Sequence, residues 1–129
     1  MASLSDVNAI RRRYNRRPLR DDARLARAAQ ELAERIAATH RVSHEDFNGR
    51  LTRCGYPYAG AAENAALCGS IEAALDMWLR SGAHRINLLG VYQDAGLAIV
   101  PAGNGQYAFV LTLASPRPAR TAPEKESTT

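Results

Sequence analysis

The most informative segment of this chain is Trp78-Leu79-Arg80-Ser81-Gly82-Ala83-His84-Arg85-Ile86-Asn87-Leu88-Leu89. It closes an amphipathic helix with a tryptophan and interrupts the helical pattern at a glycine. A histidine then stands at the start of a new helical turn. Because backbone on both sides holds this histidine, the segment predicts an imidazole that is directed into a cleft.

Two further polar segments lie upstream of this histidine. One is Ser43-His44, and the other is Ala62-Glu63-Asn64, which lies within a run of small apolar residues. Two histidines and one carboxylate from three separate elements would form a metal site or an acid/base site if the chain brings them together. A carboxylate among small apolar neighbours costs stability unless it is paired, so we expect Glu63 to contact a histidine.

Length and composition indicate one globular domain. The chain has 129 residues, of which 46% are apolar, and no apolar run is long enough to span a membrane. Residues 1–115 are predicted to form the domain. Residues 116–129, rich in Pro, Thr and charge, are predicted to form a disordered tail. No signal peptide is visible, so both a cytoplasmic and a secreted location remain open.

The net charge of +4 is unevenly distributed along the chain. Six arginines crowd the N-terminal segment, namely Arg11, Arg12, Arg13, Arg16, Arg17 and Arg20. Such a cluster can contact nucleic acid or an anionic surface, but a solvated helix face is the favoured interpretation. Only Tyr14 interleaves with the arginines and no nucleic-acid-binding motif follows, which argues against a nucleic-acid partner.

The two cysteines, Cys54 and Cys68, leave two interpretations open. A disulfide between them would close a loop of about 15 residues, which is worth about 3 kcal/mol in the chain-entropy model. The alternative is a pair of small buried thiols in a reducing compartment. We favour the disulfide slightly, and this prediction depends on the compartment.

Helical patterns come first in the chain and strand patterns last. Apolar spacing predicts helices over residues 4–14 and 71–81, and a longer one that is capped by Asp21 or Asp22 and frays near residue 39. Residues 47–54 are predicted to form a short helix or turn, and residues 84–89 a further helical turn. Residues 61–67 have little preference of their own. Residues 95–100 and 107–113 are predicted to form a hairpin. Helices followed by an antiparallel sheet indicate an α+β fold.

The order and spacing of several segments resemble the CAP superfamily, the group of cysteine-rich secretory proteins, antigen 5 and plant pathogenesis-related proteins, whose domain is also called the SCP domain. The segments that carry the resemblance are residues 18–25, Ser43-His44, Gly55-Tyr56, Ala62-Glu63-Asn64, Trp78 and residues 81–89. The pattern Ser-x-x-His-Arg-x-Asn-Leu-Leu at residues 81–89 is the most specific of them. The similarity is to the compact bacterial members and runs from about residue 7 to residue 114.

The resemblance implies an α-β-α sandwich, with a central antiparallel sheet between helical layers and a surface cleft. In the family, two histidines and two glutamates line this cleft, and in several members the histidines bind a divalent metal, often zinc. Carried over to this chain, the metal-binding histidines are His44 and His84. The first glutamate is Glu63, which is the candidate catalytic group. The position of the second glutamate holds Ser81, so this chain departs from the family pattern.

This departure limits the metal chemistry that the resemblance implies. Two imidazoles and one carboxylate give at most three protein ligands, as in the open coordination of a catalytic zinc. Glu63 could instead orient a histidine or hold a water, with Ser81, Asn64 and Asn87 as further cleft residues. We therefore expect zinc, if bound, to be held weakly and in a pH-dependent way.

The resemblance favours a secreted or envelope-associated binding module, whose partner is an extracellular protein, a lipid or a small molecule. The alternative is a metal-dependent peptidase or esterase that uses His44, His84 and Glu63 around a zinc-bound water. Ser81 cannot replace a carboxylate as a base, which weakens the enzyme interpretation. Ser43 and Ser81 each lie near a histidine, but no Gly-x-Ser-x-Gly elbow supports a serine nucleophile.

Overall fold

The computed structural model describes residues 2–118, which form five helices and four strands. In chain order these are α1 (Leu4–Arg13), β1 (Arg20–Asp21), α2 (Ala23–Thr39), α3 (Phe47–Cys54), β2 (Tyr58–Cys68), α4 (Ile71–Arg80), α5 (Gly82–Leu88), β3 (Asp94–Gly103) and β4 (Gln106–Pro116). No helix among them is long and apolar enough to cross a membrane.

The strands form one sheet in the order β1-β3-β4-β2, which lies between two helical layers. Apolar side chains of α2 pack on one face, and those of α1, α4 and α5 pack on the other. The α-β-α sandwich is therefore confirmed. The sheet departs from a purely antiparallel one only at β1, whose two residues pair in parallel with β3.

Strand β2 is the largest difference between prediction and structure. Residues 61–67 were predicted to have little preference, yet they lie in an 11-residue strand that pairs antiparallel with β4. Along this strand, Ala62 and Ala66 pack into the α1/α4/α5 layer, whereas Ala65 and Leu67 pack against α2. Small residues let both layers approach the edge of the sheet, and this tertiary packing overrides the weak strand propensity of alanine.

The helices begin where the sequence places their caps. The Asp22 carboxylate accepts bonds from two backbone amides at the start of α2, and the Ser70 hydroxyl accepts one at the start of α4. The Trp78 indole N–H donates to the Ala65 carbonyl at 3.1 Å, which fixes α4 against β2. The helix that ends just before Gly82 is therefore anchored directly to the edge strand.

The predicted hairpin is present, with strands that extend further than expected. Strands β3 and β4 meet at a two-residue turn in which Asn104 and Gly105 both have positive φ, at 55° and 74°. An Asn-Gly pair suits this turn because both residues tolerate the left-handed region. Strand β4 continues to Pro116, one residue into the segment predicted as a tail, and residues 119–129 of that segment lie outside the described residues.

The predicted disulfide is wrong, because both cysteines are free. Cys54 packs near Ala114, whereas Cys68 pairs across the sheet with Tyr107, at the opposite end of β4. Strand β2 lies between them and extends for about 33 Å at about 3.3 Å per residue. A disulfide requires Cα atoms within about 7 Å of each other. The two cysteines lie at opposite ends of this strand and are therefore too far apart to be bonded.

Candidate functional site

Glu63 lies in the middle of edge strand β2, with its side chain on the α2 face of the sheet. The side chain is only 2% exposed. A carboxylate at this depth would be strongly destabilising without partners. Its partners come from α3 and from the loop between α2 and α3.

Arg50 of α3 is the main partner of Glu63. Its two terminal nitrogens donate to the two carboxylate oxygens at 2.7 and 2.9 Å, and the arginine side chain is itself only 3% exposed. The same guanidinium also donates to the carbonyls of Ala28 and Glu45, each at 3.0 Å. The pair is therefore a bidentate buried ion pair whose cation is also bonded to two backbone segments.

His44 is the second partner of this carboxylate. Its Nδ1 lies 2.9 Å from Oε2 of Glu63, so the expected contact between the carboxylate and a histidine is present. Unlike Glu63, the imidazole is 49% exposed. His44 thus places an accessible ring directly above a carboxylate that is itself out of reach of solvent.

Opposing effects determine the pKa of Glu63. Burial is the largest and raises the pKa, but hydrogen bonds from His44 and Arg50 and the charges of both partners lower it more in sum. The net result is a pKa below the ordinary carboxyl value. Glu63 is therefore ionised at neutral pH, and its charge is balanced by Arg50.

On the other face of β2, Asn64 and Asn87 connect the strand to α5. The Asn64 amide donates to the His84 carbonyl at 2.9 Å. The Asn87 amide donates to the Asn64 side-chain oxygen at 3.0 Å and to the Glu63 carbonyl at 3.4 Å. These bonds attach the first turn of α5 to the strand residue that carries the buried carboxylate, and so they fix the position of His84 relative to β2.

Ser81 occupies the position where the family resemblance would place a second glutamate. Its Oγ lies 2.9 Å from Nδ1 of His84. The two histidines therefore differ in what supports them, since His44 contacts a carboxylate and His84 contacts a neutral hydroxyl. In both rings Nδ1 is engaged, so Nε2 is the nitrogen left to face a ligand.

The donor set does not fit a three-ligand metal site. Within residues 2–118, no three side chains of the His, Cys, Asp or Glu type are grouped so that they could hold a metal ion. Both oxygens of Glu63 are bonded to Arg50, so this carboxylate is not free to coordinate a metal. At most the two Nε2 atoms of His44 and His84 remain as metal donors.

Arg50 was missed in the sequence analysis, although it is central to the site. The segment Phe47–Cys54 was predicted as a short helix or turn and is a helix, but an arginine in so short a segment is usually exposed to solvent. The available signal was that Arg50 precedes the buried Leu51 and shares a helix face with buried Cys54. Arg11 was similarly assigned to a solvated face but is buried, and its guanidinium donates to the Leu88 and Gly90 carbonyls.

Comparisons with solved structures agree with this architecture. An outer surface protein from Borrelia burgdorferi matches with a TM-score of 0.78 and 18% identity over 88% of this chain and 90% of that one. An extracellular protein containing an SCP domain from Bacillus anthracis matches with a TM-score of 0.71 and 27% identity over 84% of this chain and 37% of that one. A cysteine-rich secretory protein from Staphylococcus aureus matches with a TM-score of 0.68 and 19% identity, over 87% of this chain and 36% of that one.

The chain thus spans little more than a third of the Bacillus and Staphylococcus proteins that it resembles. A search of curated proteins finds no significant match. The family model described as CAP, the cysteine-rich secretory protein family, matches residues 4–114, which cover all the helices and nearly all of the sheet. Sequence, fold and family model agree, and the chain belongs to the CAP family.

Proposed function

We propose that this CAP domain is an extracellular or envelope-associated binding module, and that its cleft binds a lipid or small polar ligand without hydrolysing it. The observation that carries the proposal is the bonding of Glu63. Its carboxylate accepts two bonds from Arg50 and contacts His44, and it is shielded from solvent. A general base must reach the proton that it removes, and this carboxylate does not reach the surface.

The location rests on the relatives. The Bacillus anthracis protein, at 27% identity, is described as extracellular, and the Borrelia burgdorferi protein is described as an outer surface protein. We expect the full-length protein to appear in the culture medium or the envelope fraction after cell fractionation. Recovery of the protein only with a cytoplasmic marker would contradict this part of the proposal.

The enzyme alternative can be tested directly. Peptidase and esterase panels, run with and without added zinc, should show no turnover above a no-protein control. Zinc-dependent turnover that is lost in both His44→Ala and His84→Ala would overturn the proposal. The matched control is His40→Asn, because His40 is exposed, lies outside the site and has a positive φ of 57° that asparagine tolerates.

Zinc binding without catalysis stays a prediction of the family resemblance. Each Nδ1 is already engaged, so a metal would be held through Nε2 of His44 and of His84, with water as the remaining ligands. Two protein ligands predict weak affinity that falls as pH decreases, since both rings must be neutral. Calorimetric titration at neutral pH should give heat in the wild type and in His40→Asn, but none in His44→Ala or His84→Ala. Absence of heat in the wild type would remove zinc from the description.

A further inference from the structure

A basic and partly apolar surface lies where the end of α1 meets the loop after α5. Two adjacent hollows of about 480 and 370 Å³ share Val91 as a common wall. Arg16 and Arg85 line the first hollow, and Arg17 and Arg20 line the second. We call this region the Val91 surface and define it by Tyr14, Arg16, Arg17, Arg85, Ile86 and Val91.

Buried Arg11 holds the Val91 surface together. Its guanidinium donates to the Leu88 and Gly90 carbonyls at 2.8 and 2.9 Å, and to the Arg17 carbonyl at 2.8 Å. One side chain thus ties the segment after α1 to the loop that presents Val91. These bonds to a buried side chain therefore fix the position of the two segments relative to each other.

The charge of the Val91 surface is one-sided. The guanidinium groups of Arg16, Arg17 and Arg85 form no ion pair with any carboxylate in residues 2–118, and Arg85 instead lies 4.8 Å from the centre of the Tyr14 ring. Arg20 is neutralised by Asp94 at 3.2 Å. The guanidinium groups of Arg16, Arg17 and Arg85 therefore give this surface three positive charges that no ion pair within residues 2–118 neutralises.

Apolar side chains project from the same surface. Val91 is 93% exposed and Ile86 is 73% exposed, the two largest values among the exposed large apolar residues. Both line the same hollow as Arg85, whereas Asn87 of α5 faces β2. Aliphatic side chains held in water beside free arginines match a partner that has an anionic layer above an apolar one.

We propose that the Val91 surface docks onto a bilayer that contains anionic phospholipid. The arginines would contact headgroup phosphates while Val91 and Ile86 enter the boundary with the acyl chains. Nucleic acid would satisfy the arginines but offers no apolar layer for two projecting aliphatic side chains, so it fits this surface less well. The inference is independent of what the cleft does, and it would stand if the cleft were catalytic.

The experiment is co-sedimentation of the full chain with vesicles of phosphatidylcholine that contain either no phosphatidylglycerol or about one third phosphatidylglycerol. We expect partitioning onto the anionic vesicles only, which weakens as salt is raised. Each arginine near an anionic surface is worth about fivefold in partitioning, so Arg16→Gln with Arg17→Gln should lower it about 25-fold. Ile86→Ser with Val91→Ser should lower it about tenfold without a change in charge.

Two matched controls separate docking from general attraction of a basic protein. Arg41→Gln with Arg80→Gln removes the same charge elsewhere, and Val42→Ser with Met77→Ser removes exposed apolar side chains elsewhere. Both controls should bind within about twofold of the wild type. No binding to anionic vesicles at low salt would overturn the proposal, as would equal losses in the controls or full binding by the Ile86/Val91 variant. Tighter binding to duplex DNA than to vesicles through the same arginines would also overturn it.

Discussion

Removing one charge of the buried Arg50–Glu63 ion pair should destabilise the domain strongly. Glu63→Leu would leave the guanidinium of Arg50 buried, with two of its hydrogen bonds lost. Each charge-assisted bond contributes about 1.5–3 kcal/mol, and loss of one partner of a buried pair costs about 3–5 kcal/mol. Since small domains unfold with about 5–15 kcal/mol in total, the variant should still fold, but with a much lower urea midpoint.

The measurement is a double-mutant cycle by urea unfolding, followed by far-UV circular dichroism. Arg50→Met alone should be at least as costly as Glu63→Leu, because Arg50 also bonds the Ala28 and Glu45 carbonyls. The double variant should be more stable than the sum of the two single costs predicts, by at least about 2 kcal/mol. Asp76→Asn is the control for an exposed ion pair, since Asp76 and Arg80 are both largely exposed; it should cost less than about 0.5 kcal/mol.

The reasoning would be refuted by either of two results. One is a cost below about 1 kcal/mol for Glu63→Leu with an unchanged m-value, which would mean that the carboxylate is not paired as described. The other is strict additivity in the cycle, which would mean that Arg50 and Glu63 contribute through separate contacts. In both cases the Arg50–Glu63 ion pair would no longer account for the stability of the buried carboxylate.

Three further predictions concern the same fold. Because the pKa of Glu63 is lowered in the folded state, the ionised carboxylate contributes fully to the free energy of unfolding above the unfolded pKa of about 4.5. This contribution is lost as pH falls through the lower pKa of the folded state. The free energy of unfolding, measured against pH, should therefore fall less steeply below about pH 5 in Glu63→Gln than in the wild type. Gly96→Ala should cost about 3 kcal/mol or more in urea unfolding, because its Cβ would clash with the backbone nitrogen of Ala26, and an unchanged midpoint would show that α2 can move away. Both thiols, Cys54 and Cys68, should react with a thiol reagent in denaturant without prior reduction, and dithiothreitol should leave the melting temperature unchanged; a downward shift would restore the disulfide.

The fold was largely predictable where one residue pattern dominates. Helices α1, α2 and α4 have apolar stripes at helical spacing and side-chain caps, and the structure confirms them. Strand β2 was missed because alanine has no strand preference and the strand is specified by partners distant in sequence, above all β4. Local propensity cannot report pairing that is decided by packing between two helical layers.

The site was predictable in its polar residues but not in their connections. Sequence patterns and the family resemblance singled out His44, Glu63 and His84, whereas the ion pair with Arg50 depends on how α3 lies across the sheet. A buried arginine is rare, so no sequence rule would prefer it to a solvated one. The error about the cysteines has the same origin, because an even count and a short loop say nothing of a long strand between them.

The bonding of Glu63 and the serine at position 81 together determine the charge around the two histidines. The only carboxylate of the site is balanced by a buried guanidinium, so it contributes little net negative potential to the cleft. A glutamate at position 81 would add a negative charge beside His84, and this charge would attract a divalent cation. Ser81 instead offers a neutral hydroxyl. With neutral imidazoles, Arg50, Glu63 and the two histidines together carry no net charge, which supports the proposed binding of an uncharged polar or amphipathic ligand over the binding of a cation. This charge balance, more than the number of histidines, is the reason that we propose a binding module and not a metal-dependent hydrolase.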